Sequence, residues 1–444
     1  MSTRILLRGG CVLTLGAKSP NFGQADLLID DDRVAEVGPG LRARDAEVVD
    51  ATDTIVMPGF VDTHRHAWTS LLRNLGEGAS SEESRGSAAL FGDHYRPEDV
   101  YAATLIGLLG AVEAGITTVV DWSDILPDDE SADAALRAHA DAGLRTVLVH
   151  APRHSELRRD SGVADRQLAR LAGAAGPSTT VAWGSGDLSP KDIGRAGGDW
   201  AAARELGLRI HAHTGSGASG RGLVSALAEQ RLLAEDVTLV HCSDLDDADL
   251  DALAASHAAV SLAPSSEMAG GLGSPPIQQL IDRDIRPGLG VGDERVAPGD
   301  MFAQMRATIS LQHATVFDRK LAGKAGLPRL MSTRDVIRFA TVDGARVAGL
   351  RRVIGSLEPG MQADLIVLRT DSPNIFPIND PIGAVVWGMD TSNVDWVFVG
   401  GRVLVRDGAL QADVPRARDL ATTALERVAA ASGVVVGAAS GREG

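Results

Sequence analysis

Cysteine is almost absent, with Cys11 and Cys242 the two in 444 residues. That excludes a disulfide framework and a cysteine-based zinc site, and leaves histidine and carboxylate as the side chains able to hold a metal. Aromatic residues make up only 4% of the chain, so the core must be built largely from Ala, Val, Leu and Ile. Positive charge is also short, with 43 Lys and Arg against 59 Asp and Glu, a net charge of −16. Nucleic-acid binders need a basic footprint, so a small molecule is the expected partner. No apolar run approaches the roughly 20 residues that span a bilayer. The start, "MSTRILLRGG", lacks the apolar stretch and cleavage pattern of a signal peptide. The expected location is the cytoplasm.

What is present is ample apolar content, 44%, arranged in two patterns. Residues 1–57 read as short strands punctuated by Gly and Asp turns, "RILLRGGCVLTL", "ADLLIDDDRVAEVG" and "AEVVDATDTIVM". The same pattern returns in "GSLEPGMQADLIVL" and "DWVFVGGRVLVRDGAL". Between them, short apolar strands alternate with helix-like segments. The eight strands are "GFVDTH" from Gly59, "ITTVVDW" from Ile116, "RTVLVHA" from Arg145, "VAWG" from Val181, "LRIHAH" from Leu208, "VTLVHCS" from Val237, "AVSLAP" from Ala259 and "RPGLGVGD" from Arg286. Eight strands close a (β/α)8 TIM barrel, so the expected class is α/β with a small composite β-sandwich from both chain ends. The expected division is 1–57 with 358–430 for the sandwich, 58–357 for the barrel, and 431–444 as a tail. The segment from Gly76 to Gly92, rich in Ser, Glu and Gly, reads as a mobile loop over the first strand, a natural place for a lid.

The stretch "PGFVDTHRH" ends the first barrel strand with His64 and His66. Residues i and i+2 on a strand face the same way, so both rings can reach one point in space. Eleven histidines in the chain put some close together by chance, and a lone pair can be no more than hydrogen-bonded at a surface. Placement weighs against that. His211 and His213 end strand five, His241 ends strand six, and Asp293 ends strand eight, all at the C-terminal face where this barrel carries its chemistry. Three neutral imidazoles and one carboxylate, with a water completing the shell, make a reasonable zinc or iron site. Such an ion lowers the pKa of its water toward neutrality and so supplies a nucleophile.

With these motifs in place, the sequence resembles the amidohydrolase superfamily, and within it the branch of cytosine, guanine and S-adenosylhomocysteine deaminases and triazine hydrolases. The resemblance covers essentially the whole chain, through "PGFVDTHRH", "HAH" on strand five, "VHCS" on strand six and "GMQADLIVL" at the return to the sandwich. It implies that His64, His66 and His213 bind the metal and that His241 contacts substrate or polarises the bond under attack. It also implies that the strand-eight Asp binds the metal and accepts the proton from water. Strand four, "VAWG", ends without Lys, so one divalent ion, zinc or iron, is expected rather than a bridged pair. A homodimer or higher homo-oligomer is the assembly the resemblance implies.

The pattern departs from that branch in two places. Deaminases of the branch carry a Glu three residues after the strand-five ligand to shuttle the proton to the leaving nitrogen, and this chain has Ser216, whose hydroxyl does not ionise near pH 7. Glu267 in "APSSEMAGG" is the candidate replacement; the alternative is a solvated loop carboxylate. On strand eight the family's Asp spacing, about six residues before the Pro of "PGDMF", falls on Gly292, one before Asp293. Either a bulge lets Asp293 serve, which is the reading adopted, or the metal has lost its carboxylate. Of the remaining residues, Trp68 reads as a pocket wall, and His211 as a pocket contact or a hydrogen-bonded histidine inside the mouth. Asp121 and Trp122 read as orienting a ligand histidine or capping the next segment, while His150 and His154 have no assigned role.

The function expected is a metal-dependent hydrolase that attacks a carbon bonded to nitrogen in a cyclic amidine, amide or heteroaromatic small molecule. Asp293 takes the proton from water and His241 steadies the developing negative charge. The alternatives are a non-hydrolytic or dehalogenating reaction at the same site and, more weakly, a barrel that keeps its metal, or a vestige of it, for structural or binding purposes.

Overall fold

The computed structural model describes residues 4–75, 81–152, 161–214 and 220–436, apart from the side chains of 81–85, 87, 161–165 and 187. Eight parallel strands follow one another in chain order: Phe60–Arg65, Ile116–Ser123, Arg145–His150, Thr179–Leu188, Arg209–Thr214, Val237–Val240, Ala259–Leu262 and Gly288–Leu289. They are the first to eighth barrel strands below. Several are buried along their whole length, as in "ITTVVDWS", because a parallel strand covered on both faces reads as a continuous apolar run.

The ring closes between the first and eighth strands through backbone. His66 N–H donates to Gly292 O at 3.0 Å and Gly292 N–H donates to His64 O at 2.8 Å, with Arg65 and Gly292 bridged in parallel. The last strand has only two regular residues; this clamp extends it to the mouth. Around the barrel one large apolar cluster joins strand residues such as Phe60, Leu148, Ile210 and Leu262 to the surrounding helices.

Both chain ends build a second, nine-stranded sheet. Its join is antiparallel pairing of Thr54–Pro58 with Leu365–Arg369, and its own apolar cluster includes Ile5, Leu27, Val34, Val56, Val367 and Phe398. A buried fork ties this sheet to the barrel: Arg145 of the third strand donates through Nε to Asp364 Oδ2 at 2.7 Å and through its terminal nitrogen to Oδ1 at 3.1 Å.

Two segments differ from the pattern read from sequence. Residues Ser81–Gly92, part of the expected loop, form a helix; Ala88 and Phe91, three apart on one face, bury into a cluster with Trp68, Leu72 and Val100, which outweighs the Ser and Gly content. Residues 76–80 of that loop lie outside the described residues. A 19-residue helix, Val414–Ser432, runs past the last strand and across the expected start of the tail. Its Ala424 and Val428 join the same cluster, and Arg427 pairs with Asp99 on the helix Pro97–Glu113. Among the described residues no helix is long and apolar enough to cross a membrane.

Candidate metal centre

Three imidazoles converge at the C-terminal mouth of the barrel. One ring nitrogen from each of His64, His66 and His213 lies within 4.8 Å of the others. The ring centroids of His64 stand 4.9 Å from His66 and 5.0 Å from His213, each edge to face. Both ring nitrogens of His64 are buried and lack a hydrogen-bond partner. A buried polar group left unpaired is costly, and a divalent ion at this point removes that cost, so the residues present fit such an ion. Burial, reinforced by the neighbouring histidines, pushes His64 well below the usual imidazole range, and burial holds His66 at about 4. His64 and His66 therefore offer the neutral form that coordinates.

Packing and a buried charge network set the ring positions. Trp122, near the end of the second strand, reaches across the mouth and stacks flat on His213, with centroids 3.9 Å apart and planes 12° apart. It meets His64 edge-on at 5.8 Å. Arg65, between His64 and His66, points the opposite way by strand alternation. It is wholly buried, donates to Asp62 Oδ2 at 2.7 Å and to Gly299 O at 2.7 Å, and stands 3.2 Å from Glu294 Oε2. Glu294 also accepts from Ser70 and from Arg73. Asp62 in turn accepts the backbone N–H groups of His64 and Val291. Strand one and the loop after strand eight are thus locked through alternating charges. Asp121 works one step further out: it accepts Ala67 N–H at 2.9 Å, anchoring the short helix that follows His66, and lies 3.0 Å from His139 Nε2.

His241 follows the sixth strand in a left-handed backbone conformation, φ 76°, an outlier of the kind that gathers at functional sites. The turn brings its ring to 5.4 Å from His64 and 5.1 Å from His213. Its Nδ1 lies 3.0 Å from Glu267 Oε1, which also accepts Ala263 N–H at 2.8 Å. A carboxylate at that distance places the proton on Nδ1 and leaves Nε2 with a free lone pair. Glu267 is fully buried in the short helix Pro264–Ala269, so the solvated-loop alternative does not hold.

Asp293 lies beside His66, whose pKa its charge raises, but it is not in the cluster of converging ligand atoms. Arg295 holds it: backbone N–H to Oδ1 at 3.0 Å, Nε to Oδ1 at 2.9 Å and Oδ2 at 2.8 Å, and a terminal nitrogen on Oδ2. Thr69 Oγ1 stands 3.4 Å from Oδ1. Burial pushes the Asp293 carboxyl up, and Arg295 outweighs it, so the group sits below its ordinary value.

Other expected residues fall around this centre. His211 sits two residues deeper on strand five, fully buried with neither ring nitrogen hydrogen-bonded, and burial pushes it down to about 3. Trp68 is only 5% exposed; it packs edge-on against Tyr95 at 5.9 Å within an apolar cluster with Leu72 and Phe91. His150 is buried against Trp183. Ser216 and His154 lie outside the described residues. Sequence reading missed Arg295, the Arg65 network and Asp124, which burial pushes up to about 7 against the pull of its own backbone N–H, the Trp68 indole and Arg295. The charge run "DER" at 293–295 was the available signal for the first two. Nothing local marked the third.

The model of the amidohydrolase family matches residues 55–404. A 5'-deoxyadenosine deaminase of Methanothermobacter thermautotrophicus is 28% identical over 440 residues, covering 92% of this chain and 94% of that one. A 5-methylthioadenosine/S-adenosylhomocysteine deaminase of Desulforamulus reducens is 26% identical, covering 91% and 94%. In fold, a triazine hydrolase variant superposes with TM-score 0.83 at 21% identity, covering 95% of this chain and 99% of that one. A zinc-bound adenosine deaminase of Xanthomonas campestris superposes with TM-score 0.81 at 19% identity, covering 96% and 99%. A family match over most of the chain, with a closed eight-stranded barrel and histidines converging at its mouth, leads to one conclusion: the chain belongs to the amidohydrolase family.

Proposed function

We propose that this enzyme hydrolyses a carbon–nitrogen bond in an adenosine-like or other heteroaromatic small molecule, releasing an amino group as ammonia. The observation that carries this reading is the convergence of His64, His66 and His213 at the barrel mouth. The deaminase relatives support the substrate class. A divalent ion bound there, zinc or iron, supplies Lewis acidity and an activated water.

The chain's own residues do the rest. His64, His66 and His213 hold the ion, and Trp122 fixes the plane of the His213 ring. Asp293, beside His66, receives the proton from the attacking water. His241 presents its Nε2 lone pair to the reacting centre, takes up the second proton of that water there, and as an imidazolium steadies the negative charge that develops. Glu267 stays ionised on Nδ1–H and balances that imidazolium, so His241 can give its Nε2 proton to the leaving nitrogen, the task Ser216 cannot perform. Trp68 backs the substrate wall, and His211 lies beneath it. Self-association into a homodimer or higher oligomer and a cytoplasmic location belong to the same proposal, supported by the resemblance and by the sequence composition; light scattering on the purified protein tests the first.

The test is metal content by mass spectrometry, with ammonia release from a panel of aminopurines, 5'-modified adenosines, aminopyrimidines and cyclic amidines. One equivalent of zinc or iron is expected, lost in His64→Ala and His66→Ala together with all activity. In His241→Ala the metal stays and turnover falls by about 10²–10³. Wild type that holds no metal when purified without chelator overturns the reading.

A further inference from the structure

The segment Gly292–Arg295 closes the barrel beside His66, and its geometry has a consequence for the metal. Position 292 has no room for a side chain. Gly292 is in the left-handed region, φ +72°, and a Cβ there falls 2.9 Å from Ala263 Cβ and 2.9 Å from Ser266 Cβ. Its backbone is spent on the clamp between His64 and His66. The helix carrying Glu267 presses on this glycine, so seating Glu267 against His241 and placing a carboxylate at 292 exclude each other. Asp293 is then the acid on this segment beside His66, and both of its oxygens are engaged by Arg295, a residue only 8% exposed. A planar guanidinium gripping a carboxylate through two nitrogens is the strongest neutralising partner the side chains offer. Glu294, between them, points away and is committed to Arg65, Arg73 and Ser70.

We infer that the ion is held by the three imidazoles of His64, His66 and His213 without a protein carboxylate, and that Arg295 is the positioning residue that keeps Asp293 out of the coordination sphere. Three protein ligands with an open fourth position form a complete catalytic site for zinc. The inference rests on the metal-dependent reading above and deepens it: Asp293 acts as a proton acceptor from outside the ligand set.

The experiment measures equilibrium affinity for zinc by competition with a chromophoric chelator, and the visible spectrum of the cobalt-substituted protein. The full-length wild type is compared with Asp293→Asn, Arg295→Met and the double variant, each checked for folding by circular dichroism. Asp293→Asn is expected to bind zinc within threefold of wild type, with an unchanged cobalt spectrum. Arg295→Met frees the carboxylate, so its affinity is expected to rise tenfold or more with a shifted spectrum, and the double variant loses that gain. A tenfold or greater loss in Asp293→Asn, or an altered spectrum, overturns the three-imidazole site. Unchanged affinity in folded Arg295→Met overturns the role of Arg295; if that variant does not fold, Arg295→Lys, which keeps the charge but not the fork, is expected to show a smaller gain and decides the same point. Wild type without metal defeats the underlying hydrolase reading, whereas metal present in wild type and lost in Asp293→Asn defeats this inference alone.

Discussion

Single side chains here are held in states they rarely adopt in water. His150, at the end of the third barrel strand, is buried and pushed down to about 4 from an ordinary 6.5. The unfolded chain therefore takes up this proton first as pH falls, and the folded state loses stability from about pH 6.5 down to about 4. One pKa unit corresponds to about 1.4 kcal/mol, so the loss reaches roughly 3 kcal/mol across that window. Between pH 7.5 and pH 5 the urea midpoint of wild type is expected to fall further than that of His150→Leu, because the variant lacks this contribution; equal falls would remove the role of His150. Glu267 makes a second test. In Glu267→Gln an amide replaces the acceptor on His241 Nδ1; turnover is expected to fall at least about 10²-fold through loss of tautomer control, with zinc content unchanged. A variant that loses its metal instead assigns Glu267 to the structure of the site rather than to the chemistry. Of these residues, the paired histidines were legible because spacing on a strand is a local property. The His241–Glu267 contact was not, since it joins positions 26 residues apart on different barrel units.

At the scale of elements, the site depends on how the eighth strand meets the first. Its two regular residues would leave the barrel open without the Gly292 clamp. Gly292→Ala adds a Cβ that strikes Ala263 and Ser266 and forces a non-glycine residue into the left-handed region. Together these cost about 2–4 kcal/mol. Denaturant midpoint and zinc affinity are both expected to fall; an unchanged midpoint would mean that the loop relaxes and that the clamp is not needed. The eight strand positions were readable from apolar runs and intervening helical periodicity. The helix Ser81–Gly92 was not, because its stability comes from burying Phe91 against Trp68 and the distant helix Val414–Ser432 rather than from its own composition.

At the scale of the whole molecule, barrel and terminal sheet are joined by the Arg145–Asp364 fork, with side-chain exposures of 10% and 1%. Removing one member of a buried pair strands the other charge, so Asp364→Ala is expected to cost about 3–5 kcal/mol, read as a drop in Tm. Asp364 also accepts Gly400 N–H at 2.7 Å, so the loss extends into the sheet. A divalent ion held at the mouth, as proposed above, stabilises the folded state by mass action, about 2.7 kcal/mol at a hundredfold excess over Kd. Stripping the metal is therefore expected to lower Tm reversibly in wild type and to leave His64→Ala unmoved.

The amino-acid sequence by itself determined the eight-stranded barrel, the shared sheet of the two chain ends, and the histidines at the mouth. Each of these follows from periodicities and spacings within one segment. Only the tertiary structure decided how the polar residues at that mouth are partnered. Asp293 is gripped by Arg295 two residues on; Glu267, on the helix after the seventh strand, is buried against His241 after the sixth; and Trp122 of the second strand stacks on His213 of the fifth across the closed ring. The Glu267–His241 and Trp122–His213 contacts arise between segments far apart in the chain, brought together only when the barrel closes.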